Sequence, residues 1–108
     1  MRPTLLTLAF ALCALTAPQA HAATTQEFFD LCGSGDEPCA KRIDEVRATA
    51  EKSGAKFCPP NTMSREGYAN EVLYWIGENG LDMNQDDAKS IIAALKSLYP
   101  CKPQGAKP

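Results

Sequence analysis

Apolar residues recur along this chain at helical intervals and never in sustained alternation, so the pattern predicts four helices and no strand. The strongest stripe is Ala88, Ile91, Ile92, Leu95, Leu98 and Tyr99. It opens on an Asn84-x-x-Asp87 cap with an acidic first turn that suits the helix dipole, and Pro100 stops it. A second stripe, Cys39, Ile43, Val46 and Ala50, runs from an expected Asp36 N-cap, with Glu37 and Pro38 in its first turn, to Gly54. A third carries Tyr68, Val72, Trp75 and Ile76 with Leu73 beside them; Thr62 or Ser64 caps it and Asn79-Gly80 closes it. The shortest begins at the capping signature Thr24-x-x-Glu27, buries Phe28, Phe29 and Leu31 to differing degrees, and stops at Gly33-Ser34-Gly35. Between the second and third, Lys56-Phe57-Cys58-Pro59-Pro60-Asn61 is forced extended by its two prolines. The expected fold class is all-α, a small disulfide-stapled bundle of four helices with short, antiparallel connections.

The ends of the chain read differently. Arg2, an apolar run from Leu5 to Leu15 and an Ala20-His21-Ala22 cleavage site predict a secretory signal over residues 1–22. Cys13 is preceded by Leu12 where a lipobox needs a small residue, so a cleaved, soluble, periplasmic product is expected. That leaves a helical domain over 23–101 and a flexible tail over 102–108. Removing the signal takes away Arg2, His21 and Cys13, so the remaining chain has 10 basic against 13 acidic side chains, four cysteines and no histidine.

Without histidine, Ser-His-Asp and Cys-His sites and His-based metal centres are excluded from the mature chain. Cys32, Cys39, Cys58 and Cys101 lack the C-x-x-C spacing of a zinc knuckle, and in an exported chain they read as two disulfides. Three pairings are possible. A plain up-and-down bundle favours Cys32 with Cys39 and Cys58 with Cys101, whereas a folded-back first helix brings Cys32 to Cys101. Slight acidity argues against a nucleic-acid partner, no other apolar run is long enough for membrane insertion, and no metal or cofactor is expected.

The carboxylates Glu66, Glu71, Glu78, Asp82, Asp86 and Asp87 are the only abundant groups capable of acid–base catalysis, but they fall at caps and solvent faces, so no catalytic residue is assigned. Gly33-Ser34-Gly35 has Pro38 where a phosphate loop needs its third glycine, and reads as a turn. Tyr68 and Trp75 fall on the core stripe. Tyr74 points off it, towards a partner. In the Gly77–Asp86 connection, Leu81 and Met83 serve either as staples for the flanking helices or as anchors of a binding edge rimmed by Glu78, Asp82, Asn84 and Gln85.

The run from Phe57-Cys58-Pro59-Pro60 through a Ser/Thr-capped helix, an Asn-Gly interruption and an Ala-Leu-rich helix to Tyr99-Pro100-Cys101 resembles the Rap/Tai-type immunity proteins. Phe28-Phe29-Asp30-Leu31-Cys32 matches that family's early Leu-x-x-Cys-like helix. The resemblance implies a helical, often dimeric periplasmic protein that neutralises a peptidoglycan amidase effector delivered by type VI secretion, by occluding its active-site groove. One departure is Ala40-Lys41-Arg42-Ile43-Asp44-Glu45, a charged run where the family often carries Tyr and Gly. The alternative reading, from the carboxylate content, is a small periplasmic acid-stress chaperone that loosens on protonation; two disulfides argue against it.

Overall fold

The computed structural model describes residues 23–101. The expected signal peptide over 1–22 and tail over 102–108 lie outside the described residues. Four helices follow one another: α1 Thr25–Cys32, α2 Asp36–Lys52, α3 Arg65–Glu78 and α4 Asp87–Leu98. Among the described residues there is no strand, only an isolated antiparallel bridge between Thr24 and Asp86. No helix among them is long and apolar enough to cross a membrane.

The capping chemistry decides where helices begin, and here two expectations are corrected. Thr24 forms the full capping box: its side chain accepts from the Glu27 amide at 3.1 Å while Glu27 accepts from the Thr24 amide at 2.9 Å. Ser64, not Thr62, caps α3 by accepting from the Gly67 amide at 3.0 Å. Asp36, however, is the first helical residue of α2. Gly35 holds the N-cap position with φ of +148°, a conformation that favours glycine and leaves no side chain to cap. Asn84 does not cap α4 either: its amide donates to Asp82 Oδ1 at 2.8 Å within the preceding turn, and Asp86 stands at the N-cap without a side-chain bond.

The core is built from the predicted stripes. Phe28, Cys39, Ile43, Val46, Val72, Ile76, Ile91 and Leu95 are all buried, joined by Ala40, Ala69 and Ala94, whose small side chains let the helices approach closely. Trp75 departs from the core expectation and is half-buried; Leu31 is exposed. Both disulfides of the up-and-down arrangement form. Cys32–Cys39 clips the end of α1 to the first turns of α2, and Cys58–Cys101 ties the proline segment to the residues after α4. The Cys58 amide also donates to the Tyr99 carbonyl at 2.8 Å.

The charged run at Ala40–Glu45 is the ionic framework of the bundle. Arg42 grips the fully buried Asp87 with two bonds of 2.8 Å, joining α2 to α4. Arg65 joins α3 to α2 through Asp44 at 2.8 Å and Glu37 at 2.9 Å. The hydrogen bond from Arg65, assisted by its charge, holds the Glu37 carboxyl below its usual 4.5. Because the folded value is depressed, this contact contributes above pH 4.5 and is lost as pH falls through the folded midpoint. A carboxyl NMR titration should place Glu37 below the ordinary glutamate range, and Arg65→Gln should return it there; an unchanged midpoint in the variant would remove Arg65 as the cause.

Candidate functional site

α3 is apolar on more sides than the bundle can cover. Tyr68, Ala69, Val72 and Ile76 face the core, and the unbroken run Val72-Leu73-Tyr74-Trp75-Ile76 puts further apolar side chains round the helix. Leu73 and Trp75 are half-buried, and Tyr74 is 69% exposed, far beyond what a core or boundary aromatic shows. One turn later Glu78 is also exposed.

Tyr74 and Glu78 form a ridge between two shallow depressions. One, towards α1, is lined by Phe29, Asn70, Leu73 and Gly77; the other, towards α4, by Glu71, Trp75 and Leu98. Apolar floors flanked by carboxylates, Glu78 beside both and Glu71 beside the second, suit an aromatic anchor with a charged rim. Glu71 is oriented by the Tyr99 hydroxyl, which donates to it at 2.9 Å. Burial, followed by this carboxylate, raises the Tyr99 phenol well above its ordinary 10, so it remains a donor.

The connection after α3 is locked onto the start of α1. The Met83 carbonyl accepts from the Gln26 amide at 3.0 Å, the Gln85 carbonyl from the Thr25 amide at 2.9 Å, and the Ala23 carbonyl from the Asp87 amide at 2.9 Å. Beneath these bonds, Thr25 and Ser90 share a buried hydrogen bond of 2.8 Å, and Gln85 Nε2 donates to Ser90 at 2.7 Å. Gln85 is thus held inward by its side chain. Leu81 is half-buried against the core as the staple reading expects; Met83 is half-buried; Asp82 and Asn84 are exposed. The linings of the two depressions include Tyr74 and Glu78 but none of Leu81, Asp82, Met83, Asn84 and Gln85.

Sequence reasoning missed Phe29, Leu73 and Leu98 as surface-shaping residues because each sits on or beside a core stripe. It also missed the Arg42–Asp87 pair, whose partners are separated by 45 positions. Among the described residues no group of three or more His, Cys, Asp or Glu side chains is placed to hold a metal ion.

A family model described as Rap1a immunity proteins matches residues 19–101, which spans all four helices and both disulfides. No curated protein and no solved structure matches the chain.

Proposed function

Because the chain belongs to the Rap1a immunity protein family, we propose that it acts in the periplasm as a stoichiometric inhibitor of a peptidoglycan amidase delivered by type VI secretion, binding across the enzyme's active-site groove. Inhibition of this kind needs shape and complementary charge rather than catalytic groups. The observation that carries the placement of the contact is Tyr74, a large aromatic standing exposed between two apolar depressions. Tyrosine is among the residues that dominate binding energy when an interface closes over them. Glu78 and Asp82 supply the acidic rim, and Met83 and Asn84 extend the contact along the connection to α4, whose shape Leu81 and Gln85 set.

Tyr74→Ala is expected to weaken binding to the cognate amidase by about 2 kcal/mol, roughly thirtyfold, while leaving the melting temperature unchanged because the ring is exposed. Charge reversal at Glu78 and Asp82 should slow association and make it less sensitive to salt. Titration calorimetry on the purified pair measures the first and stopped-flow the second. Unchanged affinity in Tyr74→Ala and in the charge-reversed chain would move the contact elsewhere on the surface.

A further inference from the structure

Along α3, Glu71, Tyr74, Trp75 and Glu78 stand at i, i+3, i+4 and i+7, the spacing that brings four side chains onto one face of a helix. The order is carboxylate, aromatic, aromatic, carboxylate. With Leu98 contributed by α4, these side chains line the second of the two depressions, whose volume is about 290 Å³. At 1.5 Å of rise per residue the two glutamates are rooted roughly 10 Å apart along the axis, so a group seated between them is within reach of both.

Both carboxylates are exposed, and the fold neutralises neither of them. Among the described residues the ion pairs engage Glu37, Asp44, Glu45, Glu51 and Asp87, and they use all three arginines, Arg42, Arg47 and Arg65. No basic side chain is in the lining of the depression. The hydroxyl of the buried Tyr99 donates to Glu71 Oε1 at 2.9 Å, which orients that carboxylate and leaves Oε2 open to a partner.

An apolar anchor placed here would desolvate carboxylates at both ends of the depression and give them nothing in return. A cation is attracted by the carboxylates and by the aromatic faces alike. Among cations, a guanidinium has a plane that stacks on an exposed ring, a fork of donors that serves two carboxylates, and a carbon stem that covers apolar surface. The depression towards α1 differs, since Glu78 is its only charge and Phe29, Asn70 and Leu73 make up its other side chains beside Tyr74.

We propose that the depression between Tyr74, Trp75 and Leu98 seats an arginine side chain of the protein partner, its guanidinium on the exposed Tyr74 ring between Glu71 and Glu78, its stem against Leu98. This deepens the contact proposed above and rests on that reading only for which protein carries the arginine.

Trp75 is the only tryptophan in the chain, so its indole N–H is a single reporter at the site. Acetyl-Gly-Arg-Gly-amide, titrated at pH 7 and matched ionic strength into the isotope-labelled mature chain, tests the proposal by NMR beside counterparts that carry citrulline, a neutral isostere, or lysine. The arginine peptide is expected to shift the indole signal to saturation, the lysine peptide to bind more weakly and the citrulline peptide to give no shift. Glu71→Gln combined with Glu78→Gln keeps an acceptor for Tyr99 and should weaken arginine binding roughly tenfold. Tyr74→Leu keeps apolar bulk without the ring and should weaken it about threefold. Citrulline or lysine matching arginine, an arginine titration that does not saturate, or binding unchanged in either variant would overturn the assignment. No amidase takes part, so that failure leaves the immunity reading standing, and a chain that silences no amidase leaves the arginine site standing.

Discussion

Replacing Cys58 and Cys101 together by serine is expected to lower the unfolding free energy by about 4 kcal/mol, the chain-entropy value for a bond whose partners are 43 positions apart. The same reasoning gives only about 2 kcal/mol for Cys32–Cys39, whose partners are 7 apart. The larger bond also holds the proline segment against the end of α4, where the Cys58 amide meets the Tyr99 carbonyl. Its loss therefore releases α3, which carries the Tyr74 ridge. Small domains have total stabilities of roughly 5–15 kcal/mol, so the double variant should lose a large fraction of its stability and melt at a lower temperature. Urea unfolding of the two double-serine variants measures the ordering; equal losses would show that loop closure is not what these bonds contribute.

Arg42→Met carries the second large effect. The substitution keeps an apolar stem over the α2–α4 junction but leaves the Asp87 carboxylate, 1% exposed, without either of its 2.8 Å bonds. Breaking a buried pair from one side costs roughly 3–5 kcal/mol, and the partial exposure of Arg42 places this case near 3 kcal/mol. Removing both charges, in Arg42→Met with Asp87→Leu, should recover most of that loss, because the penalty belongs to the stranded carboxylate rather than to the missing attraction. The two variants compared with the unaltered chain by denaturant unfolding decide this: a single variant no worse than the double one would mean that Asp87 finds water once Arg42 is gone.

This pair also shows where the sequence stops being informative. Local chemistry was legible apart from the N-caps of α2 and α4, where Gly35 and Asp86 stand in place of Asp36 and Asn84. Thr24-x-x-Glu27 forms the capping box it spells, Pro100 follows the last helix, and the stripes of α2 and α4 become the core. Each of those features is set by residues within a turn or two of each other. Asp87 by contrast reads as an ordinary first-turn carboxylate, and only the packing of α2 across α4 makes it a buried anion needing Arg42. The charged run that departs from the family's pattern is explained the same way, since Arg42, Asp44 and Glu45 take part in that framework.

Surface chemistry was half legible for a related reason. Tyr74 falls off the helical stripe and is exposed, as its position predicts. Trp75 lies at core spacing yet is half-buried, because α3 is apolar over a wider arc than α2 and α4 can cover. Leu81 and Gln85 looked like candidates for one binding edge, but the bridge between the start of α1 and the start of α4 turns the Gln85 side chain inward and leaves Leu81 against the core. Their contribution to an interface would come mainly from the shape they give the connection. Tyr68 was correctly placed in the core.

The proposed immunity role is tested most directly by lysis scored during periplasmic co-expression with each type VI peptidoglycan amidase of the same strain, with and without the expected leader over residues 1–22. One amidase is expected to be silenced only when that segment is present, and the pair to purify as a stable complex of equal stoichiometry. Lysis undiminished for every amidase, with no complex recovered, would contradict that role.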